Sequence, residues 1–201
     1  MNNKQLDMVL DYLNEGLFKD MKTIRKKMKD QQNKSNENKK KYAYEFLSMV
    51  KQCEDKDAYY IIKNTGQGTF CDTMLAFYLL KTPESDFNKA IDKIIKEKYK
   101  GNVPYDDDDI EESLRNQDFK KEIEFIKKHH YITISDEGSD AMLLYFPDIR
   151  KFVKYTDWFL YIDQQMSYNA CVNDFGRHLF TYYDKNALKE ADEKLGLGLI
   201  K

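Results

Sequence analysis

The chain contains a passage that occurs twice in similar form. Each copy runs from a Lys-flanked amphipathic stretch through a short β-branched and aromatic segment and a glycine turn into a second apolar run. The copies cover residues 42–80 and 118–146, and Asp72 and Asp140 begin matching Asp-x-Met-Leu-x-aromatic runs. A true duplication would give both copies the same fold. The alternative is a chance echo in a composition rich in Tyr, Leu and Asp.

Local patterns predict the elements that follow the amphipathic stretches. Tyr59–Ile62 is β-branched and aromatic, which favours a strand, and the Thr65–Gly68 turn after it tolerates positive φ. Phe70–Leu80 is either the return strand or a buried helix, because periodicity does not separate the two for so short an apolar run. Tyr131–Ile134 predicts the corresponding strand of the second copy.

Helix boundaries are marked by capping residues and glycines. Thr82 as the N-cap and Pro83 at the first helical position predict the start of a helix, and Gly101 predicts its end. A last helix is expected between a cap at Asn186 and a stop at Gly196. Scarce Gly and Pro, with abundant Lys and Glu, favour helices over a many-stranded sandwich.

The order of helix, helix, helix, strand, turn and strand resembles the winged-helix superfamily. Residues 6–80 would be one copy and residues 86–146 the other. The resemblance implies a fold that binds nucleic acid or another protein, with Lys40–Glu54 and Asp118–His129 as the helices that family members usually place in the DNA major groove. The wings that it implies are Asn64–Gly68 and Asp136–Gly138.

We therefore predict an α+β fold, mostly α, with one or two winged-helix-like modules and an aromatic-rich C-terminal helical segment. The expected boundaries are 1–82 for a first module with a basic loop, 83–148 for a second, acidic module, and 149–201 for the C-terminal segment. Ten aromatic residues lie between Phe152 and Tyr183. They complete the core between the modules or form a dimer or partner surface.

The first half of the chain carries the strongest positive charge. Residues 19–41 hold ten Lys or Arg against three acids, and such a density can neutralise several phosphates. Within this segment Gln31–Asn38 has no apolar residue and predicts a loop. A solvated helix face beside that loop is the equal alternative to a nucleic-acid site. The expected nucleic-acid contacts are Lys22, Arg25, Lys26, Lys27, Lys39, Lys40, Lys41 and Tyr42.

The second module is acidic and favours protein contacts. Residues 102–148 contain thirteen acids and five bases, and carboxylates at the wing tip, Asp136 and Glu137, would repel a phosphate backbone. We expect this module to bind a protein partner or to dimerise. The expected protein-interaction residues are Asp106, Asp107, Asp108, Asp109, Glu137 and Trp158.

Signatures of catalysis, cofactors and metals are absent from the sequence. The run Asp106–Asp109 does not begin an EF-hand calcium loop, because Glu111 and Gln117 stand where the loop needs Gly and Glu. The three cysteines lack metal-ligand spacing. We expect no catalytic residue, cofactor or metal. An enzyme would need a polar pocket around His129, His178 or Cys171.

These observations lead to two main hypotheses and an expected location. The first is a non-enzymatic DNA-binding protein of transcription regulation that contacts double-stranded DNA through its basic half. The second is a protein-interaction adaptor or inhibitor, of a kind encoded by phages or mobile elements, with no nucleic-acid role. Without a secretory h-region, and with the longest apolar run only Met74–Leu80, we expect a cytoplasmic protein with no membrane contact.

Overall fold

The computed structural model describes residues 33–65, 70–101, 108–116, 119–136, 141–156 and 159–201. Within these ranges the fold is α+β and mostly α, as the sequence predicted. The helices are α1 (residues 33–53), α2 (Ala58–Thr65), α3 (Phe70–Leu79), α4 (Glu84–Lys98), α5 (Asp108–Asn116), α6 (Lys120–His129), α7 (Tyr168–Tyr182) and α8 (Lys185–Leu195). The strands are β1 (Ile132–Asp136), β2 (Ala141–Phe146), β3 (Lys151–Thr156) and β4 (Phe159–Leu160).

The strands form one antiparallel sheet in the order β1-β2-β3-β4. Ile132 pairs with Tyr145 across β1 and β2, and the register shifts between Thr133 and Ser135. Such an irregularity adds a residue to one strand and bends it locally. The order leaves β1 at one edge of the sheet.

Both faces of the sheet are buried, against different helices. Alternate side chains of β2 point to opposite faces, so Leu143 and Tyr145 join a core with residues of α1–α4, α7 and α8. Leu144 and Phe146 join a second core with residues of α5 and α6. The sheet therefore lies between a large helical layer and a helix pair.

Aromatic residues of the C-terminal segment occupy the centre of the larger core. Phe87 of α4 contacts Phe152 and Tyr168, with ring centroids 5.3 and 4.9 Å away. The Tyr168 hydroxyl donates to the carbonyl oxygen of Thr82 over 3.0 Å, which satisfies the polar end of a buried ring. Phe152, Tyr168 and Phe175 are buried in this core and Tyr155 in the second one, whereas Phe180 and Tyr182 are exposed; a core between two modules stays a prediction.

The strand expected at Tyr59–Ile62 is wrong, because these residues belong to α2. Asp57 precedes the helix, and its carboxylate accepts from the backbone N–H of Tyr60 over 2.9 Å, as an N-cap residue does. Ala58, Ile61 and Ile62 then share one buried side at helical spacing. Residues 66–68 of the expected first wing lie outside the described residues.

The two copies of the repeated passage adopt different secondary structures. Phe70–Leu79 of the first copy is helical, whereas Ala141–Phe146 of the second copy is a strand. The described part of the second copy has the expected order, α6 followed by β1 and β2. The winged-helix resemblance stays a prediction, and so do the domain boundaries.

The extent of α1 and the N-cap of α4 differ from expectation. Residues 33–38, expected in a loop, are helical and exposed, as part of α1; no Gly or Pro interrupts the helix there. Pro83 is the N-cap of α4 in place of Thr82, with no side-chain hydrogen bond.

At α8 the cap is Asp184 in place of Asn186. The Asp184 carboxylate accepts from the backbone N–H groups of Asn186 and Ala187. Gly196 ends α8 as predicted, in the left-handed conformation with φ of 69°, which glycine adopts without strain. The C-terminal segment also contributes β3 and β4, which the sequence did not predict.

Candidate functional site

The predicted nucleic-acid contacts that the structure describes all lie on α1. Lys39, Lys40, Lys41 and Tyr42 are exposed, as is every residue from 33 to 42. Within residues 33–53, the helix meets the core from Ala43 onward. Four of the predicted contacts, Lys22, Arg25, Lys26 and Lys27, lie outside the described residues.

The second half of α1 is anchored to α7 and α8. Phe46 stacks on Tyr183, just beyond the end of α7, with ring centroids 4.6 Å apart. Lys51 Nζ donates to the carbonyl oxygen of Leu195 at the C-terminal end of α8 over 2.5 Å. The dipole of α8 favours a cation at this end. These contacts join α1 to α7 and α8, and they place Lys40 and Lys41 beside α8.

A groove of about 520 Å³ runs between α1 and α8. It is called the basic groove below and is defined by Lys40, Lys41, Tyr44 and Lys194. Lys194 Nζ lies 4.8 Å from the centroid of the Tyr44 ring, a distance at which a cation is attracted to an aromatic face. Three lysines from two helices therefore border one groove.

Two carboxylates partly balance these lysines. Lys40 Nζ lies 2.7 Å from Glu190 Oε2, and Lys41 Nζ lies 3.7 Å from Glu45 Oε1. Every one of these side chains is more than half exposed, and exposed pairs of this kind contribute only about 0–1 kcal/mol. Breaking either pair therefore costs little free energy, and the lysine can then turn to another anion.

The residues expected to bind a protein are mostly outside the described part of the chain. Asp106, Asp107, Glu137 and Trp158 belong to this group. Asp108 and Asp109 begin helix α5, for which the backbone alone is described at these two positions. Their assignment to a protein interface stays a prediction.

The three residues named for an enzyme pocket, His129, Cys171 and His178, lie in two different parts of the fold. His129 Nδ1 lies 2.7 Å from Asp148 Oδ2 at the end of α6. Cys171 and His178 lie on α7, on the other side of the sheet from α6. Cys171 is fully buried, and burial raises the pKa of its thiol, which disfavours the reactive thiolate.

A second groove, of about 430 Å³, lies between α2, α4 and β1, and no pattern in the sequence predicted it. Its walls include Ile62 of α2, Ile94 of α4 and Thr133 of β1. The expectation of a strand at Tyr59–Ile62 concealed this groove. The Asp57 helix cap was the one local signal that could have revealed the α2 wall.

Among the helices that the structure describes, none combines the length and apolar character needed to cross a lipid bilayer. In the described ranges, no three His, Cys, Asp or Glu side chains come together in a way that could hold a metal ion. Comparisons with protein-family models, curated proteins and solved structures found no match.

Proposed function

We propose that this protein binds nucleic acid, specifically the phosphates of double-stranded DNA, through the basic residues among positions 33–42 of α1 and the basic groove beside them. Its role would be regulatory and non-enzymatic. The observation that carries the proposal is the exposure of residues 33–42, a helical stretch that contains Lys34, Lys39, Lys40 and Lys41 and precedes the buried Ala43. An exposed helical surface with several lysines offers cations to the phosphates of a duplex.

The arrangement of the lysines supports contact with several phosphates. Successive residues of a helix are rotated by about 100°, so Lys39, Lys40 and Lys41 cover more than half of the helix circumference. Long, flexible lysine side chains then reach phosphates on both sides of an approaching helix. Lys194 extends the positive surface onto α8.

Tyr42 adds an aromatic group to this surface. Its side chain is 58% exposed, although a large apolar ring gains free energy from burial. In a complex the ring would pack against the sugar-phosphate backbone or stack on a base.

The test is fluorescence anisotropy of the full chain against a labelled random-sequence duplex over a series of salt concentrations. Replacing Lys39, Lys40 and Lys41 by glutamine should weaken binding and lower the salt slope by about 0.9 for each phosphate that a lysine no longer neutralises. The matched control replaces Lys96, Lys98 and Lys100 by glutamine. These lysines are exposed at the C-terminal end of α4, and the control variant should bind the duplex like the unchanged protein.

A variant of opposite effect sharpens the test. Glu190→Gln removes the carboxylate that pairs with Lys40 and should tighten duplex binding, because it frees a cation and removes a repulsive charge. Circular dichroism checks that each variant is folded. No binding at low salt, or equal weakening in the test and control lysine variants, would contradict the proposal and favour the adaptor hypothesis.

A further inference from the structure

The outer edge of β1 is available for strand pairing. Within the described residues, β1 pairs only with β2 and has no strand on its other side. The backbone N–H and C=O groups on such an edge form a template for another strand. Thr133, in the middle of β1, is exposed.

An apolar groove runs along this edge. This is the groove of about 430 Å³ between α2, α4 and β1. Its apolar lining includes Ile62 of α2, Ile94 of α4, Tyr99 at the C-terminal end of α4 and Ile132 of β1. A strand added beside β1 would point alternate side chains toward the helices. The groove has room for apolar side chains of such a strand.

The rim of the groove is positively charged. Lys63 and Lys98 line it, and Lys93 Nζ lies 3.7 Å from the centroid of the Tyr59 ring on the α2 side. In the described ranges, none of these three lysines forms an ion pair with a carboxylate.

The one carboxylate that lines the groove, among the described residues, is already engaged. Glu97 Oε2 accepts a hydrogen bond from the Tyr59 hydroxyl over 2.5 Å. This hydrogen bond is the main cause of the raised pKa of Tyr59, which therefore stays a donor. The groove thus offers cations on its rim and an apolar floor.

We propose that β1 accepts an extended acidic peptide segment of a partner protein as an additional strand. Apolar side chains of the peptide fill the groove beside Ile94, and its carboxylates pair with Lys63 and Lys98. Backbone hydrogen bonds to β1 supply affinity, while the groove and its lysines supply specificity. The occupant is an acidic and apolar peptide because the cations of the rim disfavour a basic one.

The probe is a fluorescein-labelled peptide of alternating glutamate and valine, titrated into the full chain at low and moderate salt. Replacing both Lys63 and Lys98 by glutamate should weaken binding at least about tenfold, since 1.4 kcal/mol corresponds to that factor. Lys96→Glu is the matched control, because Lys96 is exposed on α4 and does not line the groove. It should bind like the unchanged protein.

Methylation of the peptide nitrogens tests strand pairing itself. Alternate N–H groups of an added strand face β1, and the others face away. Methylating one alternate set should therefore abolish binding, and methylating the other set should leave it nearly unchanged. Equal effects of both sets would overturn the proposal, because they would show side-chain binding without strand addition.

Two further results would overturn the proposal. One is the absence of peptide binding, or equal binding of an alternating lysine and valine peptide. The other is self-association of the unliganded chain in analytical ultracentrifugation that Thr133→Arg abolishes, which would assign the edge to a second copy. Duplex binding does not involve Lys63, so failure here leaves the DNA proposal untouched.

Discussion

Tyr78 of α3 lies directly against Gly176 of α7. A Cβ atom added at Gly176 would lie only 2.5 Å from Cδ2 and 2.8 Å from Cγ of the Tyr78 ring. Glycine within a helix is less stable than alanine by about 0.8–1.0 kcal/mol. The close approach of the ring to the α7 backbone accounts for a glycine at this position.

Gly176→Ala is expected to destabilise the protein by about 1 kcal/mol, measured by urea unfolding. Overpacking against the ring costs about 1–3 kcal/mol, and the better helix propensity of alanine offsets part of it. In a Tyr78→Ala background the same substitution should stabilise the protein, because the clash is gone and the propensity gain remains. A destabilisation of equal size in both backgrounds would contradict this origin.

The parts of the fold that the sequence predicted are those with redundant local signals. In α4, helical apolar spacing coincides with a proline at the start, and Phe87 and Ile91 are buried as expected. The end of α8 was predictable because Gly196 satisfies a left-handed position that few other residues adopt.

The helix α2 was not predictable by the same means, because Tyr59–Ile62 suits a strand as well as a helix. Packing against α4 and the Asp57 cap decide between them. The similar runs that begin at Asp72 and Asp140 adopt different secondary structures for a similar reason. A short apolar run takes its secondary structure from its tertiary neighbours.

The candidate site was predictable only in its local part. The exposure of Lys39–Lys41 follows from a polar stretch without apolar spacing. The groove beside it depends on α8, whose Glu190 and Lys194 are brought to α1 from the other end of the chain. No local pattern in the sequence reveals that contact.

Asp174 links α7 to the sheet and should make stability depend on pH. Its carboxylate accepts from Lys154 Nζ of β3 over 3.0 Å and from Arg177 over 3.1 Å. Partial burial raises the pKa of Asp174. The hydrogen bond and charge of Lys154, with the charges of His178 and Arg177, lower this pKa by more, so that it lies below its ordinary value. In the unfolded chain the pKa of an aspartate is about 4. A lowered pKa in the folded state stabilises the fold at pH values above the unfolded-state pKa, and this contribution disappears as the pH falls through the folded-state pKa.

Asp174→Asn should therefore lower the free energy of unfolding at neutral pH and have a smaller effect in acid. Since the lysine is partly exposed, we expect a decrease of about 1 kcal/mol. Urea unfolding at a series of pH values measures it. Asp163→Asn, at an exposed position, is the control; a decrease for Asp174→Asn that does not vary with pH would contradict the ion-pair explanation.

Tyr183 joins α1 and α3 through two separable contacts. Its ring stacks on Phe46 at 4.6 Å, and its hydroxyl donates to the carboxylate of Asp72. Tyr183→Phe keeps the stacking and removes the hydrogen bond, so it should cost about 1–3 kcal/mol. Tyr183→Ala removes both and should cost more. Equal destabilisation by the two variants in thermal or urea unfolding would mean that the ring contributes nothing to stability.

Asp192 holds the last residues of the chain against α8. Its side chain is 4% exposed, and its two carboxylate oxygens accept from the backbone N–H groups of Leu199, over 3.0 Å, and Ile200, over 3.3 Å. Replacing Asp192 by alanine leaves both N–H groups without this acceptor. We expect a destabilisation of about 2–4 kcal/mol, since hydrogen bonds to a charged group contribute about 1.5–3 kcal/mol each and are not additive.

Hydrogen exchange would localise the effect of this change. In Asp192→Ala the amides of Leu199 and Ile200 should exchange rapidly, whereas the amides of β2 should keep the protection set by global unfolding. Asp192→Asn retains a single acceptor oxygen and should protect only one of the two amides well. Glu193→Ala removes an exposed acid one residue away and should change neither. Slow exchange of both amides in Asp192→Ala would mean that apolar packing of Leu199 and Ile200 holds the terminus without the carboxylate.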